Sequence, residues 1–277
     1  MPDYIPEDVE TREHAAWDDV WSGELYEDAI AFITSRSGQT EIAIEQGEIT
    51  SGSRVLDVGC GPGILSESLA KHAASVEGVD FSEKMIAQAN HRRTGAKFRV
   101  ANAEALPFED EAFDVAVCCY TSHHFARPDV VYTELGRLLK PGGRVVILHP
   151  IQAENAAFGA IFQTLGEVFP PEKMATFPEL GGPLFEVENP EPYIELLTNC
   201  GFVDVVCEKR LKYCSLPDDD ALVRVTVQIG KVDEQSDELR EAIVQATALS
   251  SAQYKQTDGS YRFPDNILVA KGVKPGG

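Results

Sequence analysis

The sequence predicts a doubly wound α/β domain, a mostly parallel sheet with helices on both faces. Three features predict it. From residue 53 onward short apolar runs alternate with stretches of helical period, the first run breaks at a cluster of glycines and passes straight into helix, and chemically able side chains gather after the carboxyl ends of the runs.

The first run and its turn organise the rest. In Ser53-Arg-Val-Leu-Asp-Val-Gly-Cys-Gly-Pro-Gly63 the buried β run is Val55, Leu56 and Val58, after which Ile64, Leu65 and Leu69 recur at helical spacing. Between them Gly59, Gly61 and Gly63 can take positive φ, let a ligand approach the main chain and leave open amides at the start of the next helix. The spacing is Gly-x-Gly-x-Gly, where dinucleotide sites have Gly-x-Gly-x-x-Gly, and Asp57 precedes the turn. A carboxylate aimed there repels a pyrophosphate and suits a ligand bearing an ammonium and a sulfonium.

The string Val-Leu-Asp-Val-Gly-Cys-Gly-Pro-Gly resembles the first motif of class I S-adenosylmethionine (SAM) dependent methyltransferases. The resemblance places Asp57, Gly59, Cys60, Gly61 and Gly63 against that cofactor, and implies a Rossmann-like sheet of seven strands whose last runs antiparallel.

Ser75–Asp80 is a second strand that ends in a carboxylate about 20 residues past the glycines, where the ribose hydroxyls of an adenosine ligand need an acceptor. Asp80 could alternatively cap the next helix, but Ser82 fills that role more naturally, with Met85, Ile86 and Ala89 on the buried face. Phe81 and Met85 are then placed to pack on the adenine. Lys97–Val100 is a third strand, followed by Ala101-Asn-Ala-Glu-Ala-Leu-Pro-Phe108, which resembles the family's Asp-Ala-x-x-Leu-Pro-Phe segment. That likeness assigns the adenine edge to Asn102 and Ala103, with Glu104 sharing the task. Asn102 stands where the family usually has Asp, and its amide carbonyl still accepts from an adenine amine.

Phe113–Cys119 is a fourth strand that delivers Tyr120-Thr-Ser-His-His-Phe125 to the ligand face, and a helix follows from about Asp129 to Leu139, stopped by Lys140-Pro-Gly-Gly143. Val145–His149 is the fifth strand, Pro190–Cys200 a crossover helix, Gly201–Lys209 the sixth strand and Asn266–Val273 the seventh.

Three regions lie outside the alternation. Residues 1–52 form an N-terminal helical unit: Trp17, Trp21, Tyr26, Ile30 and Phe32 share a face of a helix from about Thr11 to Arg36, and Ile42, Ala43 and Ile44 continue in a short one ended near Gly47. In the family such helices lie over the cofactor; plain packing of a flanking helix explains the spacing equally. Within a SAM-binding domain of residues 53–277, insertions at about 150–188 and 217–260 are long enough to cap the sheet's edge. The first is rich in phenylalanine (Phe158, Phe162, Phe169, Phe177, Phe185), from helix packing or from an apolar small-molecule pocket.

Composition limits the partners. A hydrophobic fraction of 43% with 25% charged residues is ordinary for a globular protein, and no apolar run is long enough to span a bilayer. The acidic N-terminus does not read as a signal peptide, so a cytoplasmic location is expected. A formal charge of −21, from 45 acidic and 24 basic residues, repels polyanions and argues against nucleic acid. Six cysteines show no metal-binding spacing and read as reduced, buried thiols; no metal is expected, and oligomeric state is not legible.

Methyl transfer to a hydroxyl, thiol or carbon acid needs a base, and histidine suits the task. His123, His124 and His149 all fall at strand ends on the presumed ligand face, with Tyr120 beside them; because His123 and His124 are adjacent, only one faces the substrate in an extended chain. Each histidine reads either as the base or as a hydrogen-bonded structural imidazole. The resemblance thus implies methyl transfer from SAM to a small, partly apolar metabolite, at oxygen or carbon. The alternatives are a SAM-binding cyclase or rearrangement enzyme and a non-catalytic binding subunit on the same fold.

Overall fold

The computed structural model describes residues 9, 11–13, 38–92, 94–175, 182–230 and 237–276. Its strands are β1 (Arg54–Val58), β2 (Ser75–Asp80), β3 (Lys97–Val100), β4 (Phe113–Cys119), β5 (Leu139–Asn155), β6 (Val203–Leu216) and β7 (Tyr261–Val273). They form one seven-stranded sheet in the order β3-β2-β1-β4-β5-β7-β6. All neighbours pair in parallel except β7, which runs antiparallel to both β5 and β6. The chain winds outward from β1 to β3, then returns to β1's other side as β4. The switch point therefore opens between β1 and β4, at their carboxyl ends, where open α/β sheets bind ligands.

Helices α1 (Gln39–Gly47), α2 (Ile64–Leu69), α3 (Glu83–His91), α4 (Pro128–Leu138), α5 (Ala156–Val168), α6 (Pro171–Met174), α7 (Glu191–Asn199), α8 (Asp219–Ile229) and α9 (Asp237–Ser250) fill the connections. Their starts follow local chemistry. Ser82 accepts from Met85 N at 3.2 Å, Asn155 from Phe158 N at 3.0 Å and Asp218 from Ala221 N at 2.8 Å, each satisfying an amide that the helix leaves open.

Alternation along the strands sorts two cores onto the two faces of the sheet. Leu56, Val58, Cys118 and Ile147 pack with Tyr132 and Leu135 of α4 and Tyr193 and Leu197 of α7. Their sequence neighbours Val55, Val117, Val146 and Leu148 pack with Ala43 of α1 and Leu65 and Leu69 of α2.

Three strands exceed the sequence reading. β5 starts at Leu139, which pairs with Phe113 of β4, and its glycines are tied to the residue after β7: Gly142 N donates to Lys274 O at 2.9 Å and Lys274 N to Gly143 O at 2.8 Å. After a bulge between Val203 and Val206, β6 and β7 stay in register from Val206↔Lys271 to Leu216↔Tyr261, well past the predicted Lys209 and Asn266. On these prolonged ends sits a third cluster, in which Ile161 and Leu165 of α5 and Leu222 and Val225 of α8 enclose Cys214, Tyr261 and Phe263. The Thr164 hydroxyl of α5 lies 2.8 Å from that of Ser250 on α9, so the two predicted insertions meet in one layer. Of the predicted N-terminal helix, Val9 and residues 11–13 are helical; Trp17, Trp21, Tyr26, Ile30 and Phe32 lie outside the described residues, as does Phe177.

The third cluster touches the main sheet mainly through β6 and β7, which predicts separable stability. Phe263→Ala removes a fully buried ring and is expected to cost about 3–5 kcal/mol by denaturant unfolding. Hydrogen exchange should show the lost protection concentrated in α5, α8 and α9, with β1 and β4 little changed.

Candidate active site

One cavity opens at the switch point. Gly59, Gly61, Asp80, Met85, Asn102 and Tyr120 line it, as do Asp57, Cys60, Phe81, Ala103, Glu104 and His124. Of the residues predicted from sequence, Gly63, His123 and His149 are not among its lining.

The glycine turn is shaped by what surrounds it. Gly59 has φ 66°, and a Cβ there would lie 2.0 Å from Thr121 Oγ1, so β4's exit packs on bare backbone. Gly61, at φ 51°, would direct a Cβ into open space, leaving its main chain accessible from the cavity. Gly63 stands as the residue before α2, with the Phe98 ring 2.8 Å from where its Cβ would be, so it serves packing and not lining. Cys60 N donates to Val79 O at 2.9 Å and Gly61 N to Asp80 Oδ2 at 2.9 Å, tying the turn to the end of β2. The other Asp80 oxygen accepts from Ser82 N at 3.0 Å. Asp80 thus holds a fixed orientation at the cavity wall.

Asp57 is nearly inaccessible and accepts from Ser66 Oγ at 2.5 Å. Burial pushes its carboxyl up to about 6, the Ser66 bond opposes the shift and the charge of Asp80 adds to it. A carboxylate so destabilised gains from a cation in the cavity.

The loop after β3 is clamped from α4. Arg137 donates to the carbonyls of Phe108 at 3.0 Å and Leu106 at 3.2 Å, while Glu134 accepts from Leu106 N at 2.8 Å and pairs with Arg137 at 2.7 Å. Asn102 Oδ1 accepts from Glu104 N at 2.9 Å, a local turn that fixes its side chain beside Ala103. The Glu104 carboxylate is paired with Arg127.

Beyond β4 the chain turns through Tyr120, a non-glycine residue at φ 56° held by its amide bond to Leu148 O at 2.8 Å. Its hydroxyl donates to Asp265 Oδ2 at 3.0 Å, and burial keeps that proton on far above the usual range. Asp265 is ion-paired with Lys212, its register partner across β6 and β7, whose ammonium lies 5.1 Å from the Tyr120 ring centre. Tyr120 therefore presents its ring to the cavity while its hydroxyl is committed to Asp265, so it does not act as a base.

Ser122–His124 forms a single 3₁₀ turn that sends the two histidines different ways. His124 lines the cavity, with Nδ1 2.9 Å from the Glu13 carboxylate. His123 is buried between the His124, His149 and Phe185 rings, and burial drives its pKa well below the ordinary value. His149 is a structural imidazole: Nε2 donates to Val187 O at 3.1 Å, Nδ1 accepts from the Tyr193 hydroxyl at 2.9 Å, and burial lowers its pKa to about 4. With both nitrogens engaged, His149 is corrected from candidate base to core residue, and His123 is set aside with it. Glu13, Gln39, Asp265 and Lys212 were missed because each reaches the site across a long stretch of chain.

The site fits an adenosyl sulfonium: an open glycine turn, an oriented carboxylate at the end of β2 and a destabilised carboxylate beneath the turn. No described helix is long and apolar enough to cross a membrane, and no described group of His, Cys, Asp and Glu could hold a metal.

The strand order, with a cavity at its switch point, is that of the class I methyltransferase fold. Residues 56–147 match the family described as a methyltransferase domain. A ubiquinone biosynthesis O-methyltransferase from Coxiella burnetii is 40% identical over 106 residues, covering 37% of this chain and 45% of that protein. The match thus spans less than half the length of that relative. Among solved structures, the YcgJ protein of Bacillus subtilis superposes with a TM-score of 0.53 at 19% identity, over 86% of this chain and 98% of that one. A putative methyltransferase from Haloferax volcanii, solved with the Trm112 activator, gives 0.54 at 20% identity, over 96% and 98%. At these identities the structures share the fold.

Asp57 holds its proton to about pH 6 when folded but only to its ordinary 3.8 when unfolded, so ionising it opposes folding as pH rises from 4 to 6. The stability of Asp57→Asn relative to wild type should therefore climb by about 3 kcal/mol across that window and level off above it, measured by urea unfolding of the ligand-free protein. Asp265→Ala leaves Lys212 buried and unpaired and should cost about 3–5 kcal/mol, whereas the double change Lys212→Met with Asp265→Leu should cost clearly less.

Proposed function

We propose that the chain transfers a methyl group from SAM to a hydroxyl of a small, partly apolar metabolite. The observation that carries this reading is the single cavity joining the open glycine turn and Asp80 to the His124–Glu13 pair. The similarity of its central segment to ubiquinone biosynthesis O-methyltransferases supports oxygen as the acceptor atom. Asp80 would hold the ribose, Phe81 and Met85 the adenine, with Asn102, Ala103 and Glu104 along its edge.

When bound, SAM supplies a methyl group already activated by the positive sulfur. The chain's own part is to orient and to move a proton. Asp57 compensates positive charge near the turn, and Tyr120 forms a fixed apolar wall. His124 accepts the acceptor's hydroxyl proton as the oxygen attacks the methyl carbon, while Glu13 orients the ring and stabilises the imidazolium that results. As the leaving atom, the cofactor's sulfur would keep the carbon–sulfur electron pair, so the proton taken by His124 is the one charge the chain has to handle. The layer of α5, α8 and α9 would cap the acceptor side.

S-adenosylhomocysteine should raise the melting temperature of the wild-type protein, and Asp80→Ala should weaken its binding at least tenfold by calorimetry. With labelled SAM and a panel of phenols and catechols, His124→Ala should lower turnover about 10²–10⁴-fold while cofactor affinity stays within a few-fold. Full turnover in His124→Ala would remove the base. Binding without transfer to any acceptor would favour the non-methylating alternatives.

A further inference from the structure

The described lining of the cavity contains the carboxylates of Glu13, Asp57, Asp80 and Glu104 and no lysine or arginine. On the proposed reading this poses a chemical problem, because SAM carries an α-carboxylate as well as its ammonium and sulfonium. Four carboxylates suit the cationic groups and repel the anionic one. Among the described lining residues, the donors left for that carboxylate are amides and main-chain N–H groups.

Gln39 meets that need. It is the first residue of α1, only 2% exposed, and it lines the cavity close to Cys119 at the end of β4. The Cys119 thiol, kept protonated by burial, donates to Gln39 Oε1 at 3.5 Å, which directs the amide oxygen to the sulfur. The other end, Nε2, is buried and has no hydrogen-bond partner among the described residues, a donor that a ligand or an ordered water completes. The backbone adds a second donor set. α1 is nine residues long, begins at Gly38 in the left-handed region (φ 73°) and has no side chain capping its first turn, so its amides and the positive end of its dipole lie beside the same side chain.

We propose that Gln39 Nε2, together with the N-terminus of α1, binds the α-carboxylate of the cofactor and thereby selects adenosyl ligands that carry the amino-acid tail. The inference rests on the SAM reading and adds a donor where the described lining holds no lysine or arginine.

The test compares two ligands that differ only at the tail. S-adenosylhomocysteine has it; 5′-methylthioadenosine keeps the nucleoside and sulfur without it. Calorimetric affinities are measured for the full chain as wild type, Gln39→Met and Gln39→Glu, each checked for folding by thermal unfolding. Both variants should bind S-adenosylhomocysteine about tenfold or more weakly, with Gln39→Glu the worse, while 5′-methylthioadenosine affinity stays within twofold. Equal weakening of both ligands, or of neither, in a folded variant overturns the assignment. A wild-type protein that binds neither ligand would instead overturn the SAM reading itself, and the two failures are distinct.

Discussion

The structure depends on a bend that has no room for a side chain. Where β1 ends, Gly59 lies so close to Thr121 that a Cβ would overlap its hydroxyl, and the next two residues bond to the end of β2 through Val79 O and Asp80 Oδ2. Three strand ends are thus locked together by one turn. Because the lock uses backbone groups, it leaves the turn's outer surface bare, and Gly61 faces open space for the same reason that Gly59 faces none. Any side chain at Gly59 would push β4's exit outward and carry Tyr120 and His124 with it. The cofactor wall and the wall with the candidate base are therefore one mechanical unit.

Around that turn the protein maintains ionisable groups in states that water would not favour. Burial holds Asp57 toward its neutral form and His123 and His149 neutral, while Asp265 and Lys212 lie ion-paired behind them. The histidine and Asp57 effects oppose each other in acid. His149, lowered to about 4, destabilises the fold as pH drops below 6.5, whereas Asp57, raised to about 6, relieves strain over much of the same range. The net slope of stability there is shallower than either group alone would give, and this is how buried groups of opposite shift can coexist near one site.

Much of this was legible in the sequence, for a physical reason. The strands β1 to β4, the glycine turn, the Ser82 cap and the position of Asp80 are set by local pattern, in which period and turn chemistry depend on residues within a few positions. What failed was long-range. His149 sits at a strand end and reads as ligand-facing, but its fate is decided by Val187 and Tyr193 on a distant segment. The ends of β6 and β7 were cut short because Lys209, Arg210, Lys212 and Pro264 interrupt the apolar alternation; their pairing in register, with Lys212 opposite Asp265, supplies what alternation lacks. Glu13 and Gln39 carry no local signature of a site, since acidic and amide residues are common on helices.

Tyr120 connects these parts. Its ring packs against both the sheet core and the cluster formed by α5, α8 and the ends of β6 and β7, and its backbone is strained at a positive φ. A strained residue persists only where its surroundings over-determine it, and here three restraints do so: an amide bond to β5, a hydroxyl bond to β7 and a cation from β6 over the ring. The prolonged β6–β7 pair thus has a use beyond carrying extra helices. It extends the sheet far enough to bring a buried ion pair behind Tyr120, the aromatic residue that, among the described residues, the cavity shares with the neighbouring layer. On the proposed reading the acceptor's surroundings can then diverge through α5, α8 and α9 while the wall facing the methyl group stays in place, because the restraints on Tyr120 come from strands and not from the helices that would meet the acceptor.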